Sequence, residues 1–241
     1  MYVGVLHFFS RTIEAVPQGL TLNLFCIPTR KAPLAHPYSS LTNLLALSYK
    51  GSQLKHESMD EITFLIRVAD SSHKVYAHQI AAEMEDSAKA RGTGIAKRSP
   101  AYLEAKMDEG KAVIALTSEG NWAGFCYIEA WGHGKFVANS GLIVAPQYRK
   151  YGLARKIKQE VFKLSQEKYP ESKIFGLTTG AAVMKINSEL GYIPVSYAAL
   201  TDDEEFWKGC QSCVNFEILM SKKRQNCLCT AMLYDPTDKK K

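Results

Sequence analysis

The chain has 241 residues, of which 46% are hydrophobic and 22% charged, with a net charge of +6. This composition is that of one globular domain with attachments, or of two small domains. No run approaches the roughly 18 to 20 consecutive apolar residues of a membrane span, which excludes an integral membrane protein. Half of the net charge comes from the last three lysines. Because a terminal charge run is usually solvated, we expect no nucleic-acid partner, and because no apolar span is present we expect no membrane partner.

Composition changes near residue 58. Residues 1–58 carry few charges, four prolines and no sustained helix or strand period, whereas a regular pattern begins at Met59. The segment 1–58 is either a loosely structured extension or sequence upstream of a true start at Met59, and we favour the second interpretation. Its first apolar run lacks a preceding basic residue and predicts no secretory signal. Six cysteines without an export signal indicate a reducing cytoplasm.

Hydrophobic periodicity predicts alternating helices and strands from residue 62 onward. We expect strands at 62–68, 111–117, 122–131, 136–144, 174–178, 192–198 and 227–234, and helices at 74–90, 99–110, 152–169 and 181–190. Short turns join the second, third and fourth strands, which predicts an antiparallel meander. Helix 152–169 is amphipathic: its apolar stripe is Leu153, Ile157, Val161 and Leu164, and its basic residues elsewhere are Arg155, Lys156, Lys158 and Lys163.

The most informative segment runs from the strand at 136–144 through a turn into the helix at 152–169. A helix N-terminus presents unpaired N–H groups and a partial positive charge, so it can bind an anion. Gly152 permits a close approach of the backbone to a ligand, and Ala154 keeps the first turn small. Arg149 and Lys150 add positive charge for a pyrophosphate.

The same segment resembles the GCN5-related N-acetyltransferase (GNAT) family, whose members carry V-x-P-x-[YF]-R-x-x-G-[IL]-[GA] at this place. The matching residues are Val144, Pro146, Tyr148, Arg149, Gly152, Leu153 and Ala154, and Leu190-Gly191-Tyr192 is similar to a second family motif. The resemblance covers about residues 62–235. It implies an α+β, three-layer GNAT fold with a central mixed, mostly antiparallel sheet flanked by helices and a cysteine-containing insert before the last strand. We expect three segments: 1–58, a core at 59–200, and 201–241 with the insert, last strand and basic tail.

The resemblance implies that acetyl-CoA, or another short acyl-CoA, lies where the strands ending at Val144 and Thr178 splay apart. The expected CoA-binding residues are Leu142, Ile143, Val144, Arg149, Lys150, Tyr151, Gly152, Leu153, Ala154 and Thr178. The reaction implied is direct attack of an amine on the thioester carbonyl. The protein must then remove an ammonium proton and stabilise the departing thiolate.

The chain departs from the family at the residues expected to move protons. Ser140 and Gly141 occupy the positions of the family's glutamate base, so Glu129 on the preceding strand is our substitute candidate. Asn187 occupies the position of the family's general-acid tyrosine, and an amide cannot donate a proton as a phenol does. Tyr192 and Tyr197 are nearby alternatives.

Four cysteines lie within twenty residues near the C-terminus. Cys210 and Cys213 form one pair, and Cys227 and Cys229 form another. Such spacing in a cytoplasmic chain indicates a structural zinc site, because residues two apart on a strand point to the same face. Buried structural thiols and a redox pair are the alternatives.

Three functions remain open. The first is N-acylation of a small-molecule amine, with the α-amine of an amino acid such as glutamate as the acceptor. In that case Arg91, Lys97 and Arg98 are available to hold its carboxylates. The second is acetylation of protein or peptide amines. The third is a non-catalytic CoA-binding regulatory module, which the missing glutamate and tyrosine make conceivable. A homodimer is compatible with each.

Overall fold

The computed structural model describes residues 62–92 and 97–240, with side chains described as far as Asp238. The strands are β1 (Phe64–Val68), β2 (Ala112–Thr117), β3 (Trp122–Trp131), β4 (Phe136–Val144), β5 (Lys173–Thr178), β6 (Ile193–Val195) and β7 (Thr230–Tyr234). The helices are α1 (Ala77–Arg91), α2 (Pro100–Asp108), α3 (Leu153–Lys168), α4 (Ala181–Glu189), α5 (Glu204–Lys208) and α6 (Phe216–Ser221). Segment 1–58 lies outside the described residues. None of the helices described is both long and apolar enough to cross a bilayer.

The seven strands form one mixed sheet in the order β1-β2-β3-β4-β5-β7-β6. Every neighbouring pair is antiparallel except β4 and β5, which run parallel. The last strand of the chain therefore lies inside the sheet, between β5 and β6. This is the predicted α+β, three-layer arrangement with a mostly antiparallel sheet.

Most element boundaries agree with the predicted ones within a few residues, and the predicted start of α2 is confirmed. Ser99 caps α2, and its hydroxyl accepts the Tyr102 N–H at 3.2 Å. The strand predicted at 192–198 is only three residues long, since Pro194 removes a backbone donor on this edge strand. The strand predicted at 227–234 starts only at Thr230. The assignment of Cys227 and Cys229 to a strand is therefore wrong.

Helices cover both faces of the sheet. On one face, α3 packs its apolar stripe onto β2, β3 and β4, together with residues of α4. On the other face, α1 and α2 cover the β1–β4 half of the sheet. Because successive strand residues point to opposite faces, Val137 joins the α3 core whereas Ala138 joins a third cluster, formed with α5 and α6. The cysteine-containing insert thus packs on the same face as α1 and α2, over the β5–β7 half.

A bulge interrupts β4 at the centre of the sheet. Its register against β3 shifts between Phe125 and Tyr127, opposite Ile143 and Ser140. Gly141 lies in this bulge with a φ of 65°. A Cβ added there would lie 2.4 Å from Tyr127 Cε1 and 2.9 Å from Met84 Cε. Both the backbone conformation and the packing therefore require glycine at this position.

We predict that Gly141→Ala lowers the free energy of unfolding by about 3 kcal/mol, because left-handed strain and overpacking of the Tyr127 ring add together. Gly120→Ala is the matched control, since Gly120 also has a positive φ of 83° but an added Cβ meets nothing within 4 Å. It should cost about 1 kcal/mol. Urea denaturation measures both values, and equal losses would contradict the packing argument.

Candidate functional site

The site begins where β4 and β5 separate. Their parallel pairing covers three residue pairs and ends at Ala138 and Phe175. Beyond this point β4 continues to pair with β3 as far as Val144, and β5 continues to pair with β7 as far as Thr178. The two strands therefore splay apart toward Val144 and Thr178, which is the opening expected from the sequence. Backbone groups of β4 that face β5 have no strand partner along this stretch.

The loop that follows β4 presents free backbone donors. In the described chain, the N–H groups of residues 150–154 donate to no protein atom, and Gly152, which caps α3, lacks a side-chain capping bond. Lys150 and Gly152 both have a φ of 73°, so left-handed residues alternate with ordinary ones. Such alternation turns successive N–H groups toward one concave face and forms an anion-binding nest. A non-glycine residue with positive φ also stores strain, which is typical of functional loops.

The Arg149 side chain hydrogen-bonds to other residues of the protein. Its Nη2 donates to Glu83 Oε1 at 2.8 Å and to Ser87 Oγ at 2.9 Å, both on α1, while its Nε donates to the Val144 carbonyl at 3.2 Å. The guanidinium thus joins α1 to the end of β4. That this side chain supplies charge to a pyrophosphate stays a prediction, and Lys150 is exposed beside the free N–H groups.

A polar cluster lies on the α1/α2 face, beside the bulge. Glu129 is paired with Lys106 Nζ at 2.8 Å and accepts the Tyr102 hydroxyl. Arg98 Nε donates to the Tyr127 hydroxyl at 2.6 Å. Burial raises the pKa of both tyrosines, so neither phenol acts as a base near neutral pH. Glu129 is therefore close to the bulge, but a cation and a hydroxyl already hold it.

A second polar cluster lies on the opposite face, beneath α3 and α4. Asn139 Oδ1 accepts the Tyr192 hydroxyl at 2.9 Å and Lys158 Nζ at 3.1 Å, and Asn139 Nδ2 donates to Ser165 Oγ at 2.7 Å. Asn187 is 1% exposed, and its Oδ1 has no hydrogen-bond partner among the described residues. The structure thus brings Asn187 and Tyr192, two residues singled out from the sequence, into one buried region.

Lys158 was missed, because the sequence assigned it to the basic residues outside the apolar stripe of α3. It is 2% exposed. Burial lowers the pKa of Lys158 to about 8. The sequence did contain a signal for this burial. Lys158 lies at helical spacing from three small or apolar residues, which are Ala154, Val161 and Ser165.

The predicted zinc site at Cys210, Cys213, Cys227 and Cys229 is not supported. Burial, and then the neighbouring thiols, raise the pKa values of Cys210 and Cys229 to about 11, so the cysteines do lie near one another. Among residues 62–92 and 97–240, however, no group of three or more His, Cys, Asp or Glu side chains is arranged to hold a metal ion. The interpretation as zinc depended on Cys227 and Cys229 lying on a strand, and they precede it.

Comparison with solved structures places this fold among acetyltransferases. N-acetylglutamate synthase from Neisseria gonorrhoeae, solved with coenzyme A and N-acetyl-glutamate, gives a TM-score of 0.51 at 19% identity over 72% of this chain and 35% of that chain. A protein from Mycobacterium tuberculosis in complex with CoA gives 0.51 at 14% identity, over 71% and 98% of the two chains. An acetyltransferase of the GNAT family from Staphylococcus aureus gives 0.50 at 12% identity, over 72% and 99%.

The chain spans 35% of the Neisseria synthase and nearly the whole of the other two proteins. No protein-family model matches the chain, and no curated protein matches it. The likeness establishes that the described residues have the GNAT acetyltransferase fold.

We predict that the buried Lys158 makes folding stability depend on pH. Below pH 8 the residue is charged in both states, so the folded state bears the cost of burying the charge. As pH rises from about 8 to 10.5, Lys158 loses its proton in the folded state first, and folding becomes more favourable. The free energy of unfolding of the wild type, relative to Lys158→Met, should therefore rise by roughly 3 kcal/mol across this window.

Chemical denaturation at several pH values measures this difference. Lys163→Met is the control, because Lys163 lies on the same helix with an exposed side chain. Its difference curve should stay flat. A flat curve for Lys158→Met as well would mean that Lys158 keeps an ordinary pKa.

Proposed function

We propose that the chain is an acyl-CoA-dependent N-acyltransferase that transfers an acetyl or related short acyl group to a primary amine. The observation that carries this proposal is the set of free N–H groups at residues 150–154, which lies at the open end of the β4–β5 separation. A helix N-terminus with a nest of unpaired donors binds a pyrophosphate well. The neighbouring unpaired strand edge suits the amide-rich arm of an acyl-CoA.

The donor molecule would be held mainly by backbone groups. Residues 150–154 would bind the pyrophosphate, with the exposed Lys150 side chain adding charge. Leu142, Ile143 and Val144 would hydrogen-bond the pantetheine arm along the unpaired edge of β4, with Thr178 on the opposite side of the opening. When bound, acyl-CoA would supply the activated thioester carbonyl, and a backbone N–H near Val144 would polarise its oxygen.

The amine acceptor would bind on the α1/α2 face. Glu129 lies there beside Tyr102 and Lys106, next to the bulge at Gly141. In this role Glu129 accepts the proton that the attacking ammonium must lose, and Lys106 must first give up its 2.8 Å contact.

A Glu129→Gln substitution should remove the acidic limb of the pH–rate profile; an unchanged limb would exclude Glu129 as the base.

An amino acid such as glutamate is the acceptor that we favour. Among the three basic residues proposed to hold carboxylates, Arg98 is half-buried and contacts the bulge through Tyr127. Lys97 is exposed and pairs with Glu85 at 3.3 Å, and Arg91 is exposed near the end of α1. The fold shared with an N-acetylglutamate synthase supports this choice of acceptor class.

A non-catalytic CoA-binding module is the second candidate. It is favoured by one observation, namely that β4 carries Ser140 and Gly141 where a carboxylate base is expected, while the substitute candidate Glu129 is already paired. Incubation with acetyl-CoA or succinyl-CoA and a panel of amino acids, with detection of thiol release, separates the two functions. Turnover on any amine excludes the module, whereas tight CoA binding without turnover on any amine supports it.

We predict that Gly152→Ala weakens CoA binding by about tenfold to a hundredfold, because the added methyl group lies at the proposed pyrophosphate site and disturbs charge-assisted hydrogen bonds. An added Cβ at Gly152 meets nothing within 4 Å in the protein itself. Gly120→Ala is the matched control, since Gly120 has a similar φ and similar open space in a remote turn. Isothermal titration with CoA measures both affinities. Equal affinities for the two variants would exclude the loop as the pyrophosphate site.

A further inference from the structure

Lys158 is a buried cation without an acidic partner. It is 2% exposed, and no carboxylate of the described residues lies within 4.0 Å of its Nζ. Its contacts are Asn139 Oδ1 at 3.1 Å and the Tyr192 ring, whose centroid lies 5.0 Å away. Burying an unpaired ammonium costs free energy, so the presence of the Lys158 ammonium in a well-packed core requires an explanation.

The titratable groups around Lys158 are neutral near pH 7. Cys126 faces it from β3, and burial raises the pKa of that thiol to about 11. Tyr192 faces it from the segment before β6, and burial raises the pKa of this phenol well above its ordinary value. Tyr234 of β7 contacts Tyr192, with ring centroids 6.3 Å apart. With its pKa lowered by burial to about 8, Lys158 remains mostly protonated at neutral pH and is the one charge in this group of residues.

Gly176 marks a position that several polar groups surround. Gly176 is the first residue of β5 after the last β4–β5 pair, and Asn139 is the corresponding residue of β4. The point where a Gly176 side chain would begin lies 3.7 Å from Asn187 Nδ2, 3.9 Å from the Asn139 carbonyl oxygen and 4.0 Å from Lys158 Nζ. Gly176 thus places no side chain among these groups, and Asn187 Nδ2 already donates to a sulfur, Met232 Sδ, at 3.7 Å.

We propose that Lys158 and Asn187 form the site of the departing sulfur, with Asn187 Nδ2 donating a hydrogen bond to it and Lys158 Nζ supplying its proton. This inference rests on the proposed acyl transfer. It assigns the general acid that the sequence left open, to a residue on α3 that belongs to none of the motifs.

The proton balance of the step is simple. As the amine nitrogen bonds to the acyl carbon, the carbon–sulfur bond breaks and its electron pair remains on sulfur. The thiolate takes a proton from the Lys158 ammonium, which leaves a neutral amine. The attacking nitrogen transfers its proton to the Glu129 carboxylate on the opposite face of the sheet, and Glu129 then releases this proton to solvent. Lys158 regains a proton from solvent after the thiol product leaves, so the enzyme returns to its starting state.

Two variants test this assignment, and both are expected to fold. In Lys158→Met a similar apolar shape replaces the charge, and Asn139 Oδ1 keeps the Tyr192 hydroxyl as its donor. In Gly176→Ala the new methyl group meets its neighbours at 3.7 to 4.0 Å, which is ordinary van der Waals contact. Lys163→Met, an exposed residue of the same helix, is the control.

The first readout is binding, measured by titration with CoA and with desulfo-CoA, which lacks the sulfur. Both variants should lose about tenfold in affinity for CoA, the loss expected for one charge-assisted contact, and less than about threefold for desulfo-CoA. The second readout is the pH profile of kcat. The wild-type rate should fall above about pH 8, and Lys158→Met should lose about a hundredfold in rate together with this fall.

The outcomes distinguish a failure of the proposed acyl transfer from a failure of the role assigned to Lys158 and Asn187. A wild-type protein that binds no CoA contradicts the proposed function itself. If the wild type binds CoA but both variants keep the wild-type ratio of CoA to desulfo-CoA affinity, Lys158 is only structural and the inference is wrong. Should Lys158→Met fail to fold, Gly176→Ala decides by the same ratio, because it leaves Lys158 in place.

Discussion

The parallel pairing of β4 and β5 ends after three residue pairs, and this loss of hydrogen bonding determines the rest of the site. Backbone donors and acceptors without partners at the centre of a sheet cost free energy unless water or a ligand satisfies them. The sheet tolerates the interruption because each strand keeps its other neighbour, β3 for β4 and β7 for β5. The opening is therefore held in a fixed position, with the N-terminus of α3 at one end of it.

The two faces of the sheet surround this opening with different chemistry. On the α1/α2 face, Glu129, Lys106 and Arg98 provide charges of both signs beside the bulge. On the α3/α4 face, Lys158 is the charged member of the buried cluster that it forms with Asn139, Tyr192 and Cys126. An acyl transfer needs a proton removed from the attacking amine and a proton delivered to the leaving sulfur. A sheet opened at its centre allows these two steps to use groups on opposite faces.

Local sequence signals predicted the features that depend on local structure. The turn between β4 and α3, the antiparallel meander and the cap at Ser99 follow from residues close together in the chain, and the structure has them. The burial of Lys158 was not predicted, because it depends on the rotation of α3 about its own axis relative to β4. The apolar stripe of the helix defines this rotation only approximately. The contact between Arg149 and Glu83 was not predicted for a similar reason, since the two residues are 66 positions apart in the chain. The zinc hypothesis required a strand that begins at Thr230 rather than at Cys227.

The central claim is that the backbone N–H groups of residues 150–154 bind the pyrophosphate of CoA. Amide chemical shifts of the labelled protein, recorded during titration with CoA, test it most directly. The account predicts that the largest downfield shifts occur at residues 150–154, with smaller ones along residues 142–144, and that adenosine alone does not reproduce them. Shifts concentrated elsewhere, or none at millimolar CoA, would contradict it.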